Sequence, residues 1–280
     1  MTALTAYDGA GALAGEEPVR WRGCGGGAQV RHLTGRAVRI QVLDAHLLLF
    51  CLLDPLLMLV VFSQVFGGLA HAPGFPEGVR YIDFLLPGLL VTTAIQVGLQ
   101  TATGLIEDMR NGIITRFRSL PIRMGSVLIA HSLAALIRGV LRLVLLLVLA
   151  FAVFGYRPAG GVPGAVAAAV LSLVLGWSLG WIFIALACRL RRPETMQAAS
   201  GLVMFPLMFA SNAFTPLDGM PAWLGAAARL NPMSHGIDAA RALSLGRPAG
   251  SGALLAVSVA LAVAAVAAPL AVRGLRDTSR

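Results

Sequence analysis

Hydrophobic residues in this chain fall into six long runs, set apart by short segments rich in arginine. A helix crossing a hydrocarbon core about 30 Å thick needs about 20 mostly apolar residues, since each adds roughly 1.5 Å. The runs at residues 47–69, 82–105, 127–154, 162–188, 196–214 and 251–272 fit that length, and they predict six spans. Two stretches between or beside them keep a helical period while carrying charge. In residues 30–46 (VRHLTGRAVRIQVLDAH), Val30, Leu33, Ala37 and Ile40 recur near helical spacing, with Arg31, Arg36 and Arg39 between them. That pattern predicts an amphipathic helix lying on a membrane surface; the other reading is a disordered basic tail. In residues 107–121 (EDMRNGIITRFRSLP), Met109, Ile113, Ile114, Phe117 and Leu120 step by three and four, and Pro121 ends the pattern. A short amphipathic helix is expected there, with an apolar side on the bundle and a charged side in water.

Arginine placement sets the expected orientation, because basic residues concentrate in cytoplasmic loops. Fifteen arginines fall before the first run, in the second and fourth loops and after the last run; five fall on the other side, and Arg138 and Arg142 lie inside the third run. Both termini are therefore expected in the cytoplasm, and so is the 107–121 loop. Residues 1–29 contain no apolar core of a secretory signal and are expected to form a flexible cytoplasmic tail.

Composition removes several function classes. The chain is 57% hydrophobic and 12% charged, against roughly 25% charged in soluble domains. The +9 net charge is spread between apolar runs and not gathered on one face, so no nucleic-acid partner is expected. All 22 basic residues are arginine. Without lysine the chain can build neither a P-loop nor a Schiff base. Cys24, Cys51 and Cys188 are too far apart for metal-ligand or redox spacing. No catalytic, cofactor or metal site is expected.

Polar residues inside the runs are the remaining candidates. Asp54 precedes Pro55 in the first run, as an arginine partner or hinge, or as a hydrated interfacial carboxylate. Thr92, Gln96 and Gln100 form one stripe of the second run, lining a pathway or making interhelical hydrogen bonds. His131, Arg138 and Arg142 share a face of the third, from which the arginines could snorkel to the interface or meet Asp54 or lipid phosphates. GWSLG (176–180) matches a nucleophile pattern, but it lies in a continuous apolar run with no partner His/Asp pair. Its G-x-x-x-G spacing favours close helix packing. Pro206 is expected to kink the fifth run. Residues 215–246 are too apolar for a free loop. Two short helices, 221–230 and 233–245, broken at Asn231-Pro232, are expected as re-entrant half-helices or as a surface hairpin.

Two segments resemble a known family. RFRSLPIR (116–123), after an acidic pair and before a long apolar run, is similar to the membrane subunits of type-2 ABC exporters, in particular the daunorubicin/doxorubicin-resistance permeases. FASNAFTPLDGMPAWLGAAARLNPMSHGIDAARALSLG (209–246) resembles the same family in its Ser-Asn, Met-Pro-x-Trp-Leu, Asn-Pro and Ala-x-Arg-x-Leu elements, as does GYRP at 155–158. The resemblance covers about residues 30–275.

The resemblance implies an all-α integral membrane protein. It would have six transmembrane helices, an amphipathic interface helix, a cytoplasmic coupling helix and outer re-entrant half-helices before the last span. It implies a permease in the cell membrane that works as a homo- or heterodimer, in contact with lipid and with a separate ABC ATP-binding subunit. ATP and magnesium would sit on that subunit, and this chain would bind no cofactor. Glu107, Asp108, Arg110, Arg116, Phe117, Arg118 and Pro121 would dock the ATPase, with Arg191, Arg192 and Glu194 as a second contact. Pro221, Trp223, Asn231 and Pro232 would form an outer gate, and Asp54, Thr92, Gln96, Gln100 and Asn212 would line the pathway or pack. The substrate would be a small amphipathic drug-like or lipid-linked molecule, or in the alternative a polysaccharide or glycolipid. Outside the family, an ion-coupled transporter would need more membrane-embedded carboxylates than Asp54 and usually an internal repeat.

Overall fold

Among the described residues every regular element is helical. The computed structural model describes residues 26–42, 45–65, 67, 68, 75, 78–118, 124–190 and 192–276, and no strand occurs among them. Ten α-helices follow in order: α1 (Gly26–Val42), α2 (Ala45–Val65), α3 (Tyr81–Arg110), α4 (Ile113–Arg118), α5 (Met124–Ala152), α6 (Gly161–Leu190), α7 (Pro193–Phe209), α8 (Ala222–Leu230), α9 (Pro232–Ser244) and α10 (Gly250–Arg276).

Among the described residues four helices are long and apolar enough to cross a membrane: α3, α5, α6 and α10. They match the second, third, fourth and sixth expected spans to within a few residues. The other two expected spans differ. Run 196–214 becomes α7, only 17 residues long and opened by the polar Pro193-Glu194-Thr195. At roughly 1.5 Å per residue it is about 25 Å long, short of a full core. Pro206 lies inside α7, three residues from its end. Run 47–69 holds α2, a continuous helix of 21 residues with Pro55 inside it. The expected amphipathic element falls largely on helix α1 (Gly26–Val42); residues 43 and 44, which follow it, lie outside the described residues. The rest of the expected tail, 1–25, lies outside the described residues.

Helix α3 is the axis of the bundle. Leu85, Leu86, Leu90, Leu105 and Ile106 along it are fully buried. Helix α6 lies against it backbone to backbone. A Cβ on Gly176 would come 2.4 Å from the Ala94 carbonyl carbon, and one on Gly98 would come 2.7 Å from the Gly180 Cα. Only glycine permits this approach, so GWSLG is a packing motif, and Ser178 is fully buried within α6.

Helix α10 closes on α6 through a small-residue face. Ala260, Ala264, Ala267 and Ala271 are buried, while Leu254, Leu255, Val259, Leu261 and Val266 face outward. An apolar outward face on a spanning helix suits lipid, which replaces the water that would penalise it in a soluble protein.

Candidate functional site

Two polar assemblies stand at opposite ends of α3. At 30 residues and roughly 1.5 Å each, α3 is about 45 Å long, well beyond a 30 Å core. The helix is therefore longer than the core it would cross, and Glu107, Asp108 and Arg110 sit on its last turns. The helix ends at Arg110, where the Asn111 amide donates to the Glu107 carbonyl at 2.9 Å, and Gly112, whose φ of 71° suits glycine, turns the chain. This corrects the single helix expected over 107–120: the acidic pair belongs to α3, and only Ile113–Arg118 forms the separate α4.

The apolar side of this end rests on the bundle as expected. Ile114 is buried, and Met109 packs on the core. Glu107, Arg110 and Arg116 are exposed. The two segments expected to dock a partner meet here, because Arg110 pairs with Glu194 of α7 at 3.4 Å. Arg192 beside Glu194 is also exposed. Pro121, Arg191 and the side chains of Phe117 and Arg118 lie outside the described residues. Asp108 pairs with His131 of α5 at 3.2 Å, which fixes the side of α5 that follows the loop. In the sequence alone His131 has a face but no partner.

Inside the bundle, Arg138 and Arg142 do not snorkel. Both are buried; Arg138 donates to the Thr101 hydroxyl at 2.6 Å, and Arg142 to the Gln100 side-chain oxygen. Arg138 lies fourteen residues into α5, about 21 Å along it, too deep to turn back to the near interface. The α3 stripe is correspondingly uneven. Gln100 holds α5, the Thr92 hydroxyl returns to the Leu89 carbonyl of its own helix at 3.0 Å, and Gln96 is half-buried. Asp54 is exposed on α2.

At the other end, α8 and α9 form the two short helices expected around Asn231-Pro232. Asn231 does three jobs. Its side-chain oxygen caps α9 by accepting from the Met233 amide at 2.9 Å, with Pro232 in the first helical position. Its Nδ2 donates to the carbonyls of Leu207 at 2.7 Å and Ala210 at 2.8 Å, satisfying acceptors left open where α7 ends. Asn212 bonds through Nδ2 to Asp238 of α9. Pro221 starts α8, and Trp223 stands 73% exposed on it.

The residue that binds this end together entered the sequence reading as one of the five arginines on that side and as the arginine of the Ala-x-Arg-x-Leu element, with no partner assigned. Arg241 of α9 is buried and touches three elements. Its Nε donates to the Phe84 carbonyl of α3 at 3.2 Å, NH2 to the Asn212 carbonyl at 2.8 Å, and NH1 to Asp238 at 3.1 Å. Its guanidinium lies 3.7 Å from the Phe84 ring centroid. Tyr81 adds a bond to the Phe214 carbonyl at 3.0 Å. Asp83, also buried, holds Arg80 at 2.8 Å, while Arg80 reaches the Gly155 carbonyl of the α5–α6 turn at 2.9 Å. The available signal was the i,i+3 spacing of Asp238 and Arg241 within an otherwise small and apolar helix.

Long apolar helices around a buried axis, with charge confined mainly to their ends, define a multi-pass membrane protein. The chain belongs to the ABC-2 type transporter family, whose profile matches residues 28–245. It is 34% identical over 264 residues to the daunorubicin resistance ABC transporter permease protein DrrB1 of Streptomyces coeruleorubidus, covering 94% of this chain and 90% of that one. It is 25% identical over 221 residues to the probable doxorubicin resistance ABC transporter permease protein DrrC of Mycobacterium tuberculosis, covering 79% and 78%. It is 30% identical over 189 residues to nodulation protein J of Rhizobium leguminosarum bv. trifolii, covering 65% and 69%.

Proposed function

We propose that the chain is the permease subunit of an ATP-driven exporter in the cell membrane, energised by a separate ATP-binding subunit and working as a pair of permeases. The observation that carries this reading is the Arg110–Glu194 contact. It joins the end of α3 to the start of α7 as an exposed charged face, with the exposed Arg116 on α4 following in the chain. That face continues directly into the buried axis helix, so a protein gripping it gains a 45 Å lever of about 30 residues. In this reading both termini are cytoplasmic, and α2 and α7 complete six spans with the four longer helices. The α8–α9 pair is re-entrant and caps the outer end. ATP and magnesium sit on the partner, and closure of the paired ATPases moves α4 and then α3.

The substrate in this reading is a small amphipathic molecule, drug-like or lipid-linked. The drug-resistance names of two relatives support the drug-like form. This chain's residues perform no bond chemistry in the cycle.

The test is capture of an ATP-binding subunit from detergent-solubilised membranes of the native host, comparing wild type with Arg116→Glu/Arg118→Glu. The expected result is retention by wild type and loss by the double variant at equal membrane insertion. Wild type that captures no ATPase while keeping its other complexes sinks the reading.

A further inference from the structure

The end of the bundle bearing α8 and α9 is built from short pieces. Helix α8 has nine residues, α9 has thirteen, and α7 ends beside them. Helices this short are marginal alone and depend on tertiary contacts. Their main polar tie to the axis is one side chain. Arg241 reaches the Phe84 carbonyl on α3, the Asn212 carbonyl on the α7–α8 connection, and Asp238 on its own helix. Asp238 in turn holds the Asn212 side chain, so α3, the connection and α9 meet at a single guanidinium. The Phe84 ring beneath it adds a cation–π contact at 3.7 Å.

The geometry also makes this tie breakable. Two of the three acceptors are backbone carbonyls on different elements, and the carboxylate partner is half in water, with the Asp238 side chain 53% exposed. Asp238 can therefore keep Arg241 solvated and paired after α9 leaves α3, which a fully buried arginine without a companion carboxylate could not survive. On α3, Pro87 has no amide to give the Asp83 carbonyl, so the first turn around Phe84 is short of an internal bond and is held by side chains from elsewhere.

We propose that Arg241 is a positioning residue that latches the α8–α9 cap onto the first turn of α3, with Asp238 as the ion that travels with it when the cap opens. The cap would then open by losing the Phe84 and Asn212 contacts together, while the Arg241–Asp238 pair stays intact within α9. Calling this end the outer end rests on the exporter reading; the latch does not.

The experiment uses the full chain purified in detergent, with Cys24, Cys51 and Cys188 replaced by alanine, and a single reporter cysteine labelled with a maleimide. Ser234→Cys reports on the cap: Ser234 is buried in the first turn of α9, and its hydroxyl has no hydrogen-bond partner. Ser126→Cys reports on the far end of α5, where Ser126 is buried as well. Arg241→Met should raise the labelling rate at 234 by about tenfold or more through local opening, and leave the rate at 126 unchanged. Arg241→Lys, with one donor group in place of a fork, should fall between. Asp238→Asn should raise the rate at 234 by less than Arg241→Met, since the carbonyl contacts remain while the buried guanidinium loses its carboxylate. An unchanged rate at 234 in Arg241→Met overturns the latch. Equal rises at 234 and 126 also overturn it, because the residue would then support the whole fold and not the cap. Capture of the ATPase is scored separately, so its failure would count against the exporter reading and leave the labelling contrast standing.

Discussion

Gly98 of α3 and Gly180 of α6 meet with no side chain between them: a Cβ on Gly98 would lie 2.7 Å from the Gly180 Cα. One turn away, Gly176 is closer still to Ala94. The axis helix and its main neighbour are therefore in backbone contact at the middle of the bundle. In lipid, where no hydrophobic effect drives helices together, such close packing is a principal source of association.

The first prediction follows from that spacing. Gly176→Ala should cost about 1–3 kcal/mol by overpacking, because the obstacle is Ala94 backbone at 2.4 Å. Gly180→Ala should cost less, since its nearest obstacle is 3.2 Å away. Gly201→Ala on α7 meets nothing within 4 Å and should be neutral or mildly stabilising. Thermal unfolding in detergent, followed by tryptophan fluorescence, ranks the three; a Gly176→Ala melt equal to that of Gly201→Ala would contradict the contact.

Asn231 carries the second. Replacing it with alanine strips the α9 cap and leaves the Leu207 and Ala210 carbonyls without their donor, a loss of about 1–3 kcal/mol. Asn231→Asp keeps an oxygen for the Met233 amide but turns a carboxylate onto two carbonyls, so it should be no better than alanine. An aspartate variant as stable as wild type would show that the cap alone matters. The same melting assay decides it.

Helix α4 supplies the third. Gly112 has a φ of 71° and open space around its Cα, so only conformation restricts it. Gly112→Asn should be tolerated, since asparagine visits the left-handed region, whereas Gly112→Val should cost at least about 1 kcal/mol locally and swing α4 out of register. The expected signature in the capture assay is ATPase retention for Asn, loss for Val, and nearly the same melting temperature for both. Equal retention by both would argue that the angle between α3 and α4 is irrelevant to docking.

The Arg110–Glu194 pair gives the fourth. Its side chains are 59% and 77% exposed, so the pair adds little to folding. Arg110→Ala should leave unfolding almost unmoved. Arg110→Glu, which places like charges together at the docking face, should cut ATPase capture several-fold in low salt and less in high salt, where charges on the surface are screened. A clear melting shift in Arg110→Ala would reassign the pair to stability.

How much of this was legible beforehand depends on whether the feature is local. Four spans, the cytoplasmic-type charge distribution, the break at Asn231-Pro232 and the packing role of GWSLG all follow from one-dimensional signals: apolar length, proline position and glycine spacing. These hold because a bilayer forces each spanning segment to satisfy its own backbone. Run 196–214 was legible in position but not in bounds, because hydropathy counts apolar residues without seeing that the helix begins at Pro193 and that the chain turns at Ala210.

The pairings were not legible, because each joins residues far apart in sequence. Arg241 and Phe84 are 157 positions apart, Arg110 and Glu194 84, Arg142 and Gln100 42. A charged side chain in an apolar helix announces that it must find a partner, since leaving it alone costs several kcal/mol, about 2.5–3.5 on insertion scales. It does not announce which one. The amino-acid sequence by itself determined that this is a helical membrane protein and where most helices lie, through hydrophobic length and helix-breaking residues. The tertiary structure alone decided which arginine meets which acceptor, because helix packing sets those distances and carries no trace in local composition.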